Sequence, residues 1–189
     1  MLNVVLKKAV FAVFAILVGL VYRAYSIEGV NALLLLMPAK LIAPTLRRYG
    51  AVIGNDVQIH SPLIIHNANS GSGRHYANLV IGNHCYFGRD VFLDLSAPLI
   101  IEDYVTVSMR CTLLTHSDAG DRPTSYRISG LSASRTALCV RSGAYLGANS
   151  TVLQGVTIGR LVVVGACALV REDVEDEAWV AGVPARKIG

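Results

Sequence analysis

The sequence predicts an all-β body of stacked triangular coils, entered through an apolar helical segment. Three observations predict it. Beyond Gly50 an aliphatic residue recurs every six positions, unbroken through Val140, Leu146, Val152, Ile158, Val164 and Val170. Shorter runs of the same spacing are Ile81, Phe87, Leu93 and Ile101, Val107, Leu113, and Ile53 and Ile59 start a weaker one. Glycine often follows the aliphatic residue, and a small or compact residue, such as Cys85, Cys111, Ala144, Ser150 or Ala168, stands four positions after it. Finally, the apolar excess outside this repeat is concentrated at the N-terminus, in Ala9–Tyr22 and Ala32–Met37.

The N-terminal element comes first. Ala9–Tyr22 is 14 residues without a charge, whereas a spanning helix needs ~20. Lys7 and Lys8 precede it and Arg23 closes it. A signal peptide with a poor cleavage site at Ala24-Tyr25-Ser26, a spanning helix that takes in Leu2–Leu6, and an interfacial or re-entrant pair all fit. So does a helix buried against the body. Basic residues on both sides of the run set no orientation. Residues 1–47 are expected to form a membrane-associating helical segment and residues 48–189 the body. Deletion of residues 1–45 is expected to leave that body soluble.

A six-residue period is neither a helix nor an alternating strand. It fits a short strand and a tight corner, taken three times per turn. The aliphatic residue points into the prism, the small residue fills the corner, and glycine is expected to supply corner conformations closed to other residues. Stacked coils bury a core that one coil cannot. About five coils fit between Ala51 and Val174. Asn67–Asn78 is polar and Gly/Ser-rich, hence a loop. Ser117–Leu138 breaks the period after the third coil, as a long loop carrying Arg122, Arg127 and Arg135. Loops that leave a regular scaffold commonly carry function. The end, WVAGVPARKIG, leaves the repeat and is expected to cover the last coil.

Composition excludes several classes. Hydrophobic residues make up 53% and charged residues 16%, so the chain is not disordered. A net charge of +4, with no basic cluster interleaved with aromatics, gives no case for nucleic acid as a partner. Cys85, Cys111, Cys139 and Cys167 form no CxxC pair, so a structural zinc site is not expected. They read as buried free thiols in a reducing compartment.

The stretches YLGANSTVLQGVTIGRLVVVGACALVREDV and VAGVPARKI resemble the C-terminal coils and closing motif of the hexapeptide-repeat acyltransferases. The resemblance covers about Arg47–Gly189. It implies a left-handed parallel β-helix, a hand that spacing does not set, since ordinary crossovers are right-handed. Within that superfamily the chain is most similar to sugar O-acetyltransferases of the maltose, galactoside and colanic-acid type. LRRYGAVIGNDVQI resembles the exopolysaccharide branch. These imply acetyl-CoA as donor, a sugar hydroxyl as acceptor, no metal, and a homotrimer with active sites between subunits.

Acetyl transfer from a thioester needs a base for the hydroxyl proton and donors for the developing oxyanion. His116, in LLTHSD at the break in the repeat, matches the family's catalytic histidine. Asp118, two residues on, is expected to hold its tautomer, as an acid does in a triad. His84 is a candidate for substrate contact, whereas His60, His66 and His75 read as surface residues. A zinc enzyme of the γ-carbonic-anhydrase type would need further histidines near His116 that are lacking here. The family's donor contacts match Ala148, Ala166, Arg171 and Glu172, and, beside the nucleotide phosphates, Arg186 with Lys187. Many relatives have lysine where Glu172 stands. Arg89, Asp94 and Ser96 align loosely with the segment that lines the sugar site.

The leading expectation is therefore an acetyl-CoA-dependent sugar O-acetyltransferase at the cytoplasmic face of the inner membrane, acting on a lipid-linked or nascent surface glycan. N-acetylation of an amino-sugar nucleotide, or a non-catalytic β-helix scaffold, are the alternatives.

Overall fold

The computed structural model describes residues 2–68, 74–118 and 133–188, with side chains from Val10 onward. Two helices, α1 (Leu2–Leu34) and α2 (Ala39–Arg48), lead into a chain of very short strands. Three parallel ladders make the faces of a prism. The first stacks β1 (Val52–Ile53), β4 (Leu79–Ile81), β7 (Leu99–Ile101), β12 (Leu138–Val140) and β15 (Thr157–Ile158). The second stacks β2 (Gln58–Ile59), β5 (Tyr86–Phe87), β8 (Thr106–Val107), β13 (Tyr145–Leu146), β16 (Val163–Val164) and β18 (Trp179–Ala181). The third stacks β3 (Leu63–His66), β6 (Val91–Asp94), β9 (Thr112–Leu113), β14 (Thr151–Val152) and β17 (Leu169–Val170).

Register follows the repeat: Leu138 pairs with Leu99, Val140 with Ile158, and Leu146 with Val107 and Val164. The aliphatic column points inward and is buried throughout. β19 (Arg186–Lys187) folds back antiparallel on β18 and caps the end. Between β9 and β12 the chain leaves the prism. β10 (His116–Ser117) and β11 (Ser134–Arg135) pair antiparallel at the base of this excursion. Arg122 and Arg127 lie outside the described residues, and Arg135 sits in β11.

The structure corrects three expectations. The glycines after the aliphatic residues are not the left-handed positions. Those fall two residues later, at Asp56, His84, Tyr104 and Leu161 on one corner and Asp90, Arg110, Asn149 and Cys167 on the next, with φ between 52° and 61°. Glycine is required for space instead. A Cβ on Gly88 would stand 2.5 Å from Met109 N, and one on Gly147 2.6 Å from Ala166 N, because successive coils pass backbone to backbone there. The thiols also differ from expectation: Cys85 and Cys111 are buried, Cys139 is partly exposed, and Cys167 is exposed at its corner.

The third correction concerns the boundary at residue 47. Ile27, Val30, Leu34, Met37, Ile42 and Leu46 are all buried in the same core as the first coil. Tyr76 donates a hydrogen bond to Asn31 Oδ1 at 2.8 Å. The second half of α1 and all of α2 therefore plug the open end of the prism. Each such side chain contributes roughly 1.5–3 kcal/mol by burial, so deletion of residues 1–45 removes a part of the core rather than an appendage. The front of α1 also touches the body, through buried Val18 and the bond from Arg48 to Ala15 O, but Val13, Ile16 and Leu20 face outward and are exposed.

Candidate active site

The third face ends in a cluster of polar side chains around His116. Stacking Ile65 on Leu93 on Leu113 aligns the strand ends, which places His66 opposite Asp94. The chain then turns through Thr115 into His116. Asp94 is 0% exposed, and a carboxylate in that position must have its lone pairs met. Thr115 N donates to Asp94 Oδ2 at 2.7 Å, and the Thr115 hydroxyl lies 2.9 Å from the same oxygen. Asn67 Nδ2 and Ser96 N donate to Oδ1 at 3.0 and 3.2 Å. His116 Nδ1 donates to Oδ2 at 2.5 Å. Burial by itself would raise the Asp94 carboxyl. The bonds from His116, Thr115 and Asn67 outweigh it and hold the group well below the usual carboxylate range.

This corrects two roles. Asp94, expected to meet the acceptor, is enclosed and orients the histidine. Asp118, expected to orient it, lies 3.3 Å from the other nitrogen, Nε2, with 63% of its side chain exposed. With Nδ1–H committed to Asp94, the Nε2 lone pair is the one free to accept a proton. The His116 side chain is 12% exposed, enough to reach a substrate from one side. Its pKa is raised above the ordinary value, chiefly by the Asp94 hydrogen bond and against the desolvation of the ring. Asp118 matches the imidazolium form, and an acceptor hydroxyl bonding to Nε2 must displace it.

Three residues of this cluster have no role assigned from the sequence. Asn67 Nδ2 stands 3.5 Å from both ring nitrogens of His116, equidistant between them, and 2.6 Å from Ser96 Oγ. His66, expected at the surface, has its ring 5.5 Å from that of His116. Thr115 bridges coils, accepting from Ala97 N at 3.1 Å. Stacking the aliphatic series would have found His66 beside Asp94. Nothing in the spacing marks Asn67, which sits in the polar stretch.

The other candidates fall in two places. Arg171, Glu172, Arg186 and Lys187 come together around a pocket of about 270 Å³ at the C-terminal mouth of the prism. Asp173 and Glu175 line it too, so three cations meet three acids. Arg171 Nη2 is 3.2 Å from Glu172 Oε1, which leaves Arg186 and Lys187 as the cations available for a phosphate. Ala148, Ala166 and Arg89 share the corner between the second and third faces. There Cys167 N donates to Ala148 O, and Arg89 lines with Ala148, Tyr86 and Tyr145 a groove of about 460 Å³. His84 stands on a different corner from His116, between the first and second faces. Its ring stacks 4.8 Å from Tyr104, with Nδ1 3.5 Å from Asp56. Among the described residues no group of three or more His, Cys, Asp or Glu could hold a metal ion.

No family model matches the chain, and no curated protein matches it. Solved structures do. A hexapeptide-repeat-containing acetyltransferase from Vibrio cholerae, complexed with acetyl coenzyme A, is 23% identical over 84% of this chain and 81% of its own, with a TM-score of 0.69. A galactoside acetyltransferase in complex with coenzyme A is 19% identical over 86% and 77%, with a TM-score of 0.71. The N-acyltransferase AntD from Bacillus cereus, in complex with dTDP and 3-hydroxybutyryl-CoA, is 23% identical over 72% and 70%, with a TM-score of 0.58. The chain thus has the left-handed parallel β-helix fold of the hexapeptide-repeat acetyltransferases.

Proposed function

We propose that this protein is an acetyl-CoA-dependent O-acetyltransferase acting on a sugar hydroxyl. The observation that carries the reading is His116 held through Nδ1 by a buried, fully hydrogen-bonded carboxylate, with Nε2 facing only the exposed side chain of Asp118 and the Asn67 amide among the described residues. In the reaction Nε2 takes the proton of the acceptor hydroxyl as its oxygen attacks the thioester carbonyl. The tetrahedral oxyanion collapses to the ester, and the thiol of CoA leaves with the proton returned by His116. Asp94 keeps the tautomer and stabilises the imidazolium without itself taking the proton. Arg186 and Lys187 are the cations suited to the nucleotide phosphates of the donor, Arg186 through its bidentate geometry.

The site is proposed to be completed in a homotrimer. His116 leaves the corner between the third and first faces, whereas Ala148 and Ala166 line the corner between the second and third. A pantetheine arm lying along those alanines meets a histidine readily if a neighbouring protomer supplies it. The exposed apolar side chains Val13, Ile16 and Leu20 of α1 support association with the cytoplasmic face of the inner membrane, where acetyl-CoA is available, and a lipid-linked or surface-glycan intermediate as acceptor. Val10–Leu34 is long and apolar enough to cross a bilayer.

Purified protein with acetyl-CoA and candidate lipid-linked sugars, followed by mass spectrometry, tests the reading. An acetylated sugar formed by wild type and lost in His116→Ala is expected, and undiminished transfer by the variant would refute the mechanism. The similarity to an N-acyltransferase keeps an amine acceptor as the second reading. Mild base removes an ester and spares an amide, which separates the two.

A further inference from the structure

The front of α1 and the end of α2 enclose a groove of about 660 Å³. Ile16, Gly19 and Leu20 form one wall, Arg48 and Tyr49 the other, and Arg23 stands at the rim. Arg48 Nη1 donates to Ala15 O at 2.9 Å, and the guanidinium lies over the Tyr49 ring, 5.7 Å from its centroid. That anchor uses one of its five N–H donors. Beneath it, Tyr49 is 8% exposed and its buried hydroxyl has no hydrogen-bond partner among the described residues. His75, also 8% exposed, packs against Tyr49 and is held by Tyr22 at Nε2, 2.9 Å away, while its buried Nδ1 has no partner among the described residues. Buried polar groups in native proteins are ordinarily satisfied, so these two orphans leave the packing beside the groove incomplete.

Charge points the same way. The first fifty residues carry six lysines and arginines against one acid, Glu28, whereas the rest of the chain carries eleven against twelve acids. The net charge of +4 therefore resides at the end of the molecule that bears the exposed apolar helix.

We propose that this groove binds the phosphate of an anionic membrane phospholipid. Arg48 and Arg23 engage the phosphate oxygens above the Tyr49 ring, and an acyl chain lies along Val13, Ile16 and Leu20. An arginine held over a tyrosine, its planar fork fixed by the bond to Ala15 O, suits a phosphate better than a mobile ammonium does. The site deepens the membrane-associating role proposed above for the N-terminal segment and rests on it. It is independent of acetyl transfer.

Flotation of the full chain with two kinds of vesicle tests this: phosphatidylcholine alone, and phosphatidylcholine with phosphatidylglycerol. The expected result is binding to both and at least about 10-fold tighter binding to the second. Arg48→Gln removes that preference. Gly19→Leu does so too without removing charge, since a side chain there meets Arg48 Nη2, 3.3 Å from the Cβ position, and leucine favours the helix. Lys40→Gln, a change of equal charge at an exposed residue that lines a different pocket, is expected to cost no more than about fivefold, the size of a general surface attraction. Equal binding to both vesicles overturns the head-group site and leaves membrane association standing. Equal losses from Lys40→Gln and Arg48→Gln overturn it as well. So does displacement of phosphatidylglycerol by traces of a polyprenyl phosphate, which would assign the groove to the acceptor. Failure to bind either vesicle removes the membrane reading itself.

Discussion

The His116 corner and the C-terminal mouth are both expected from the sequence to be functional, and they are built in opposite ways. At the corner one carboxylate, Asp94, is enclosed, and donors from three segments of the chain converge on it. At the mouth six charged side chains of both signs stand exposed around an open pocket. The corner holds one side chain in one geometry, as proton transfer demands. The mouth offers adaptable, screened charge of the kind that binds a flexible polyphosphate. Losses should therefore be steep at the corner and shallow at the mouth.

The steepest is His116→Ala, expected to lower kcat/KM for acetyl transfer by about 10²–10⁴-fold, the usual contribution of a general base. Asp94→Asn comes next. It frees the ring and reverses the donor pattern, and steady-state assays are expected to show kcat down by about 10²-fold with donor KM nearly unchanged. At the mouth, Arg186→Ala is expected to raise the KM for acetyl-CoA by about 10-fold and leave kcat alone, the loss of one exposed charge-assisted contact. Arg171→Ala comes last: its pairing with Glu172 is exposed, so thermal melts should change by less than about 1 kcal/mol. A larger kinetic effect at Arg171 than at Asp94 would break the contrast.

The pH dependence sharpens it. To act as the proposed base His116 must be neutral, and Asp94 raises its pKa, so the acid limb of the kcat/KM profile is expected above the ordinary value of ~6.5. In Asp94→Asn it should move down. For stability the two partners act in opposite directions. The lowered pKa of Asp94 contributes stability that is present above the unfolded carboxyl value of ~3.9 and lost as pH falls toward the folded value. The raised pKa of His116 contributes stability that is complete below ~6.5 and lost as pH rises through the folded value. Melting curves should therefore show wild type exceeding Asp94→Asn by more at about pH 5 than at about pH 8, since only the lower pH lies inside both windows. Arg171→Ala should show no such difference.

Much of the prism is legible in one dimension. The aliphatic series from Val140 to Val170 implies the stack, and the break after Leu113 marks where His116 emerges. The role of the glycines is not legible there, because a period reports which positions are special and not whether conformation or space makes them so. His116, the proposed base, is legible because it closes a run of repeat. Its partner is not: Asp118 is two residues away in sequence, but Asp94, 22 residues away, is the one delivered to Nδ1 by the stacking of β6 on β9.

The N-terminal helices show the same division. Their apolar character is plain in the sequence, and both halves of α1 share it. Burial depends on what lies alongside. Ile27, Val30 and Leu34 meet the open end of the first coil and become core, and Val18 is buried as well, while Val13, Ile16 and Leu20 face outward and stay exposed. The sequence by itself determined a six-residue core, a break that carries a histidine, and an apolar entry segment, because these are properties of spacing and composition along the chain. Tertiary structure alone decided which carboxylate orients His116, which side chains of α1 are core, and where Arg48 meets α1. Each of those depends on contact between segments that only folding brings together.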